Sequence, residues 1–365
     1  MIRIILTLLA LVAALPAFAQ SPDQVRGWKA EWDKTVAAAN KEGKVVVVMS
    51  PTPGRRNYLL ETWKADYPQI ELSLSIGAGT FVQQVVTERN AGSYLWDVFH
   101  TGPNSGHVAV QAGLLDELRP ELILPEVKDP AIWGGWDNVF YDKDRSRILA
   151  LYNDLQSPYY NAKSVSPDRV KQVGLKVLLE PQYKGKIVWF DPRAAGPGAP
   201  FLALIKHVLG EEGMWKVIVD QDPIFVPNLN ESAQAMVRGK AVIAIGGQRK
   251  QNLQSYIEAG IAVDMRDFGN TPETAFLGTD GGCVGVFSKR PHPNAARVFV
   301  NWLMTKRVSE GISRADKYDA RRADIAPMDP EFAVIKGANY VQAQRVEYDQ
   351  EIRRIQAEIK KRRPQ

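Results

Sequence analysis

Residues 70–90 read IELSLSIGAGTFVQQVVTERN, and a change of rhythm inside them decides the fold class. Ile70, Leu72, Leu74 and Ile76 alternate with polar residues, the period of a half-buried strand. The run stops at Gly77-Ala78-Gly79-Thr80, and the residues from Phe81 to Asn90 form a helix. Strand, small-residue turn and helix in immediate succession make one unit of an α/β fold.

The unit recurs on both sides. Upstream, a helical stretch with Trp28, Trp32 and Val36 on one face ends at Gly43, and the strand KVVVVM (44–49) follows. The turn SPTPG (50–54) leads to a helix through Leu59, Leu60 and Trp63, ended by Pro68, and WDVFHT (96–101) repeats the strand. A second series fills 185–268. KIVWFD (186–191) precedes PRAAGPGA (192–199) and an apolar helix from Phe201 to Leu209; PIFVPN (223–228) precedes a helix near Asn230; AVIAI (241–245) precedes GGQRKQ (246–251). Such alternation predicts mostly parallel sheets covered on both faces. The extended segment ILALYNDLQSPYYNAK (148–163) and the stretch from Phe276 to Phe287 join the two series. The expected fold is therefore α/β and two-lobed: two doubly wound lobes joined by crossing hinge strands, with a ligand cleft between them. Residues 20–152 plus 281–330 form the first lobe in this division, 153–280 the second, and 331–365 a C-terminal helical extension.

Composition agrees with a folded, exported chain. Of 365 residues, 45% are hydrophobic and 24% charged, ordinary globular values. Arg3, the apolar run Ile4 to Leu15 and Ala17-Phe18-Ala19 read as a secretory signal comprising residues 1–19. That run is short of the roughly 20 residues that span a bilayer. Cys283 is the only cysteine, so no internal disulfide forms, and its distance from the cleavage site argues against a lipid anchor. A periplasmic location is expected. The net charge of +5 is spread along the chain and gives nucleic-acid binding no support.

In open parallel sheets, ligands bind beyond the carboxyl ends of the strands, where helix N-termini present free N–H groups. Ser50, Thr52, Gly79, Thr80 and Thr101 fall at such positions, as do Arg193, Gln248 and Arg249. Asn153, beside Tyr152 on the first crossing, and Asp280, on the second, complete the candidate ligand-binding set. Asp280 is compatible with pairing Arg193 or Arg249, with capping a turn, or with binding an amine. The arginines and helix N-termini favour a carboxylate or phosphoryl group.

Catalytic patterns are weak. Gly77-Ala78-Gly79 opens a helix, but Val82 stands where a dinucleotide fingerprint needs a third small residue. His100, His107, His207 and His292 show no paired metal spacing, and only His100, at a strand end, is placed to meet ligand. Cys283 lies in GGCVGVF, a context for a buried, inert thiol. No cofactor, no metal and no enzymatic activity are expected; a periplasmic enzyme using Cys283 is the remote alternative.

EGKVVVVMSPTPG, YPQIELSLSIGAGTFVQQVVTERNAGSYLWDVF, QYKGKIVWFDP, NESAQAMVRGKAVIAIGG and SKRPHPNAARVFVNWLMTKRVSEG occur in that order between about residues 40 and 325. With them the chain resembles the ferric-iron-type periplasmic solute-binding proteins of ABC transporters. The resemblance implies a two-lobed, hinged protein that captures a small solute and presents it to a membrane permease; a monomer is expected. Iron-binding members hold the metal through adjacent tyrosines, a histidine and a carboxylate. The corresponding places here fall near Gly247 and Gln248, at Pro53 and at Gly102. A ferric site without those oxygens is chemically poor. The resemblance thus implies an organic ligand, anionic by the rim residues, with ferric ion, polyamines or thiamine as alternatives and ligand sensing for a membrane kinase as another use of the same fold.

The tail departs from the family pattern. Tyr348, Ile352, Ile355 and Ile359 make one apolar stripe on a helix, expected to dock on its own domain, and IKKRRPQ (359–365) is expected to be a solvated terminus.

Overall fold

The computed structural model describes residues 22–77, 81–194, 196–247, 264–279 and 281–364, together with residues 256 and 258–261. Four consecutive valines make β1 (Lys44–Met49), a strand buried at Val45, Val47, Val48 and Met49. It starts after Gly43, which closes α1 (Pro22–Glu42) at φ 68° and returns its N–H to the Ala39 carbonyl at 2.9 Å. β1 lies parallel to β2 (Glu71–Ile76) on one side and β3 (Val98–His100) on the other. α2 (Pro53–Asp66) leads from β1 to β2, α3 (Phe81–Asn90) from β2 to β3, and α4 (Pro103–Gln111) follows β3. The short strands β4 (Leu115–Asp116) and β5 (Leu149–Ala150) and the returning strand β13 (Cys283–Phe287) complete this sheet, in the order β2-β1-β3-β13-β4 with β5 on β13. β13 runs antiparallel to β3, so the sheet is mixed, a departure from the mostly parallel expectation.

The second sheet has the order β11 (Met265–Asp267), β7 (Tyr159–Asn161), β10 (Ile243–Ile245), β8 (Ile187–Phe190), β9 (Ile224–Val226). β10, β8 and β9 are parallel; β7 and β11 are antiparallel additions at one edge. Each sheet has its own core. Trp63, Phe299 and Trp302 pack ring against ring in the first, and Trp189, Phe201 and Ile205 lie buried in the second.

A three-stranded sheet, β12 (Phe276–Gly278), β6 (Tyr152–Gln156) and β14 (Asp319–Ala320), joins the halves. β6 and β12 are the two expected crossings, paired antiparallel from Phe276 opposite Gln156 to Gly278 opposite Asp154. A third crossing was not expected. The Val341 carbonyl accepts from the Leu277 N–H at 2.9 Å, and the chain then enters a C-terminal helix, Val346–Arg362, whose Ile355 and Ile359 are fully buried in the second core. The apolar stripe therefore docks within the chain. The basic end is less solvated than expected: Arg363 donates to the carbonyls of Ile218 (3.0 Å) and Pro223 (3.1 Å) and pairs with Asp222 at 2.7 Å. The signal reading of residues 1–19 lies outside the described residues. No helix among the described residues is long and apolar enough to cross a membrane.

Candidate functional site

The strand ends of the first sheet converge on a buried arginine. Arg55 lies in the first turn of α2, where a cation opposes the helix dipole and no acidic residue offsets it. Its compensation comes from far along the chain. Asp316, at the end of the helix Lys306–Asp316, accepts from Arg55 Nε at 2.5 Å and from the Arg55 backbone N–H at 3.0 Å. Arg55 Nη1 donates to the Gly281 carbonyl at 3.0 Å, and the guanidinium lies 4.6 Å from the centre of the Tyr152 ring. The arginine thereby ties the start of α2 to both crossing segments.

His100 completes the cluster. Its Nε2 is 3.4 Å from Arg55 Nη1 and its Nδ1 is 3.1 Å from the Cys283 carbonyl. A guanidinium only donates, so Nε2 is the acceptor and Nδ1 carries the proton. Complete burial, with the Arg55 charge adding to it, pushes the His100 pKa down to about 3. His100 is therefore a neutral, fully buried residue whose two ring nitrogens are both engaged within the protein.

Around this cluster stand several of the expected site residues. The Ser50 N–H donates to the His100 carbonyl at 3.2 Å, and the Thr52 hydroxyl turns back to the Ser50 carbonyl at 3.2 Å without capping α2. A Cβ on Gly281 would stand 2.4 Å from Ser50 Oγ, and one on Gly282 would stand 2.0 Å from the Tyr152 ring, so both glycines let the return crossing pass against the first sheet. Asn153 is half-buried on β6, opposite Asp319. Thr101, Tyr152 and Thr279 are almost wholly buried, yet their hydroxyls have no hydrogen-bond partner among the described residues.

The second sheet contributes the loop after β8. Arg193 Nε and Nη2 grip Asp191, at 2.9 Å and 2.7 Å, Nη1 reaches the Arg363 carbonyl at 2.9 Å, and the guanidinium lies 5.2 Å from the Phe225 ring centre. Burial pushes Asp191 up, but the Arg193 bonds and the Lys360 charge outweigh it and hold the carboxyl below its usual range. Arg193 was expected to offer a bidentate grip to ligand; that face is already occupied by Asp191. It contributes charge to the site, and a fork–fork bond would require it to release its partner.

Gly246 and Gly247, with φ of 103° and 74°, follow β10. A Cβ on Gly246 would lie 2.8 Å from Phe190 Cβ and 2.9 Å from Gly198 Cα, and one on Gly247 would lie 2.6 Å from Pro197 Cβ. These glycines admit the neighbouring loop of their own lobe. Their packing positions Gly196 to Ala199 and hence the start of the helix Pro200–Trp215, which has no side-chain cap. Gly79, Thr80, Gln248, Arg249 and Asp280 lie outside the described residues.

Both halves border one cavity of about 210 Å³. Asn104, at the N-terminal end of α4, comes from the first; Arg193 and Gly196, before the Pro200 helix, come from the second; Arg345, Arg353 and Lys360 come from the tail. Two helix N-termini and four cationic side chains around one cavity suit an anion. A larger cavity, about 790 Å³, lies among Tyr160, Val170, Lys171, Val208, Phe268 and Asn270, all on the second half, so closure of one half on the other would not seal it. Cys283 is completely buried, which pushes its thiol pKa up and leaves it an unreactive core residue, as its context indicated.

No family model matches the chain, and no curated protein matches it. Solved structures do. Iron-bound HitA from Pseudomonas aeruginosa superposes at a TM-score of 0.64 with 15% identity, covering 87% of this chain and 99% of that one. Ferric iron-binding protein A of Mannheimia haemolytica, in an open conformation, gives 0.67 at 14% identity, with 88% and 99% covered. AfuA of Actinobacillus pleuropneumoniae, with fructose-6-phosphate bound, gives 0.58 at 18% identity, with 87% and 99% covered.

The fold is that of a two-lobed periplasmic binding protein.

On this fold the two larger sheets correspond to the two lobes and the β6/β12 pair to strands that cross between them; the cavity is bordered by Asn104 of the first half and by Arg193 of the second. Of the positions that the resemblance aligned with iron ligands, Pro53 is the first residue of α2, Gly102 precedes α4 and Gly247 packs on Pro197; none carries a ligating side chain. Gln248 lies outside the described residues. Sequence reasoning missed Arg55, Asp316 and the tail's contribution. The available signal for the pair was electrostatic: a cation at a helix start and a carboxylate at a helix end are each at the wrong pole of the dipole, and each calls for a specific partner.

Proposed function

We propose that this chain is the solute-binding component of an ABC importer, capturing a small organic anion between its lobes and presenting it to a membrane permease. The observation that carries this reading is the inter-lobe cavity flanked by the N-terminal ends of two helices and by Arg193, Arg345, Arg353 and Lys360. A ligand there touches both lobes only when they are closed, so it stabilises the closed form by its differential affinity, and the permease reads the closed surface. The chain makes and breaks no covalent bond. It works as a monomer, in the periplasm. HitA and AfuA, which share the fold, carry iron and fructose-6-phosphate respectively, and the basic lining here favours the second kind of cargo.

The experiment is a thermal-shift screen of the mature protein against small carboxylates, phosphonates, sugar phosphates, polyamines and ferric ion, since binding to the native state raises the melting temperature. A rise with anionic organic solutes supports the reading. A rise confined to ferric ion or to amines overturns it.

A further inference from the structure

The cationic wall of the cavity belongs to the tail, a segment outside the two α/β series. Arg345 precedes the C-terminal helix, and Arg353 and Lys360 lie seven residues apart on it, two helical turns, so they share one face. The opposite stripe, Ile355 and Ile359, is locked in the second core. Further bonds fix the helix: Lys206 is ion-paired with Glu351, and Gln356 Nε2 donates to the carbonyls of Pro192 (2.9 Å) and Ala194 (3.0 Å), drawing those acceptors toward the tail. At its other end the tail holds the first lobe. His107 Nε2 donates to the Gln344 carbonyl at 2.9 Å, Arg345 Nη2 to the Asp137 carbonyl at 2.6 Å, and Arg145 pairs with Glu347.

The charges around the cavity do not cancel. Asp349 accepts from Arg353 at 2.9 Å and Asp191 from Arg193, which leaves four cations against two carboxylates. Burial is the main cause that lowers the Arg345 pKa; Arg145 and Arg321 add to it, and Tyr141 and Glu347 oppose it. A volume of about 210 Å³ is roughly seven water volumes, room for a small solute.

We propose that the C-terminal helix is the charge-reading wall of the site, and that Arg353 and Lys360 select a small doubly charged anion, a dicarboxylate or a phosphate monoester, over a singly charged one. This rests on the reading of the inter-lobe cavity as an organic-anion site and adds the ligand's charge and the residues that measure it. Arg353 has a 65% exposed side chain at the mouth of the cavity, so its replacement leaves the core intact.

The test is calorimetric titration of the mature chain with succinate and glycerol 3-phosphate as dianions and with butyrate as the monoanion. Wild type, Arg353→Gln/Lys360→Gln and Arg354→Gln are compared; Arg354 pairs with Glu211 and does not line the cavity. The proposal expects at least one dianion to bind roughly tenfold or more tightly than butyrate, the double variant to lose that margin, and Arg354→Gln to keep it. Dianions bound no better than butyrate, or an undiminished margin in the double variant, overturn the proposal and leave the anion reading standing. No binding of any of the three probes to wild type overturns the anion reading itself, and the proposal with it.

Discussion

Replacing Asp316 by Asn tests whether the buried ion pair organises the hinge. The substitution keeps the shape of the side chain and removes the negative charge facing Arg55, whose side chain is wholly buried while that of Asp316 is 5% exposed. Removing one partner of a buried pair costs about 3–5 kcal/mol, because the remaining charge keeps its desolvation penalty. At about 2.1 cal/mol/K of unfolding entropy per residue, a chain of 365 residues shifts by about 1 °C for every 0.8 kcal/mol. The expected fall in melting temperature is therefore roughly 4–6 °C. Scanning calorimetry gives the temperature, and urea titration gives the free energy independently. A companion variant, Arg55→Met/Asp316→Leu, removes both charges and should lose less stability than Asp316→Asn alone, since apolar replacement of a whole pair is often near neutral. A loss below about 1 kcal/mol for Asp316→Asn, or a double variant less stable than the single, would refute the assignment of a charge-bearing lock at Gly281 and Tyr152.

Three further outcomes are expected. His100, held neutral down to about pH 3 and ordinarily titrating near 6.5, adds stability that is complete above pH 6.5 and lost as pH falls toward its folded value. From pH 7 to pH 5 this amounts to about 2 kcal/mol; His107, also lowered by burial, acts in the same direction, while Asp97, raised by burial, opposes them as the pH falls. Urea unfolding at pH 7 and pH 5 measures the slope, and a flat profile above pH 5 would contradict the buried neutral imidazole. Cys283 should resist Ellman's reagent in the native protein and react fully in denaturant; rapid native labelling would show an accessible thiol and reopen an enzymatic role. Ile359→Ala should destabilise the protein by about 2–5 kcal/mol in urea titration, because the side chain is fully buried in the second core; a loss within 0.5 kcal/mol would mean that the tail is a detachable appendage.

What the sequence disclosed, it disclosed through periodicity. The alternation in 70–76, the valine run of β1 and the strand-to-helix breaks after Ile76, Phe190 and Ile245 are local signals, and each names its element without tertiary help. Pro158 split the first crossing where the structure splits β6 from β7. Strand direction was less accessible. β7 and β11 extend the second sheet antiparallel, and their short runs carry no mark of which neighbour they pair with.

Of the residues singled out in the sequence, Arg193 and its glycine-containing loop border the cavity, whereas Ser50, Thr52, Thr101 and Asn153 do not; long-range pairing, which decides a side chain's duty, was not legible. Arg193 looked free for ligand until Asp191, two residues away, and the Arg363 carbonyl, far along the chain, took its donors. Arg55 drew no notice in the sequence, because its partner Asp316 lies 261 positions away. The tail's stripe was visible as a docking face, but the basic face opposite it could be assigned to solvent or to a cavity only after docking fixed the helix azimuth.

The most direct test of the central claim is small-angle X-ray scattering of the mature protein, with and without saturating amounts of whichever organic anion gives the largest thermal shift. The account predicts a smaller radius of gyration in the bound state, as the lobes close over the cavity between Asn104 and Arg193. An anion that binds tightly yet leaves the scattering profile unchanged would contradict capture by closure.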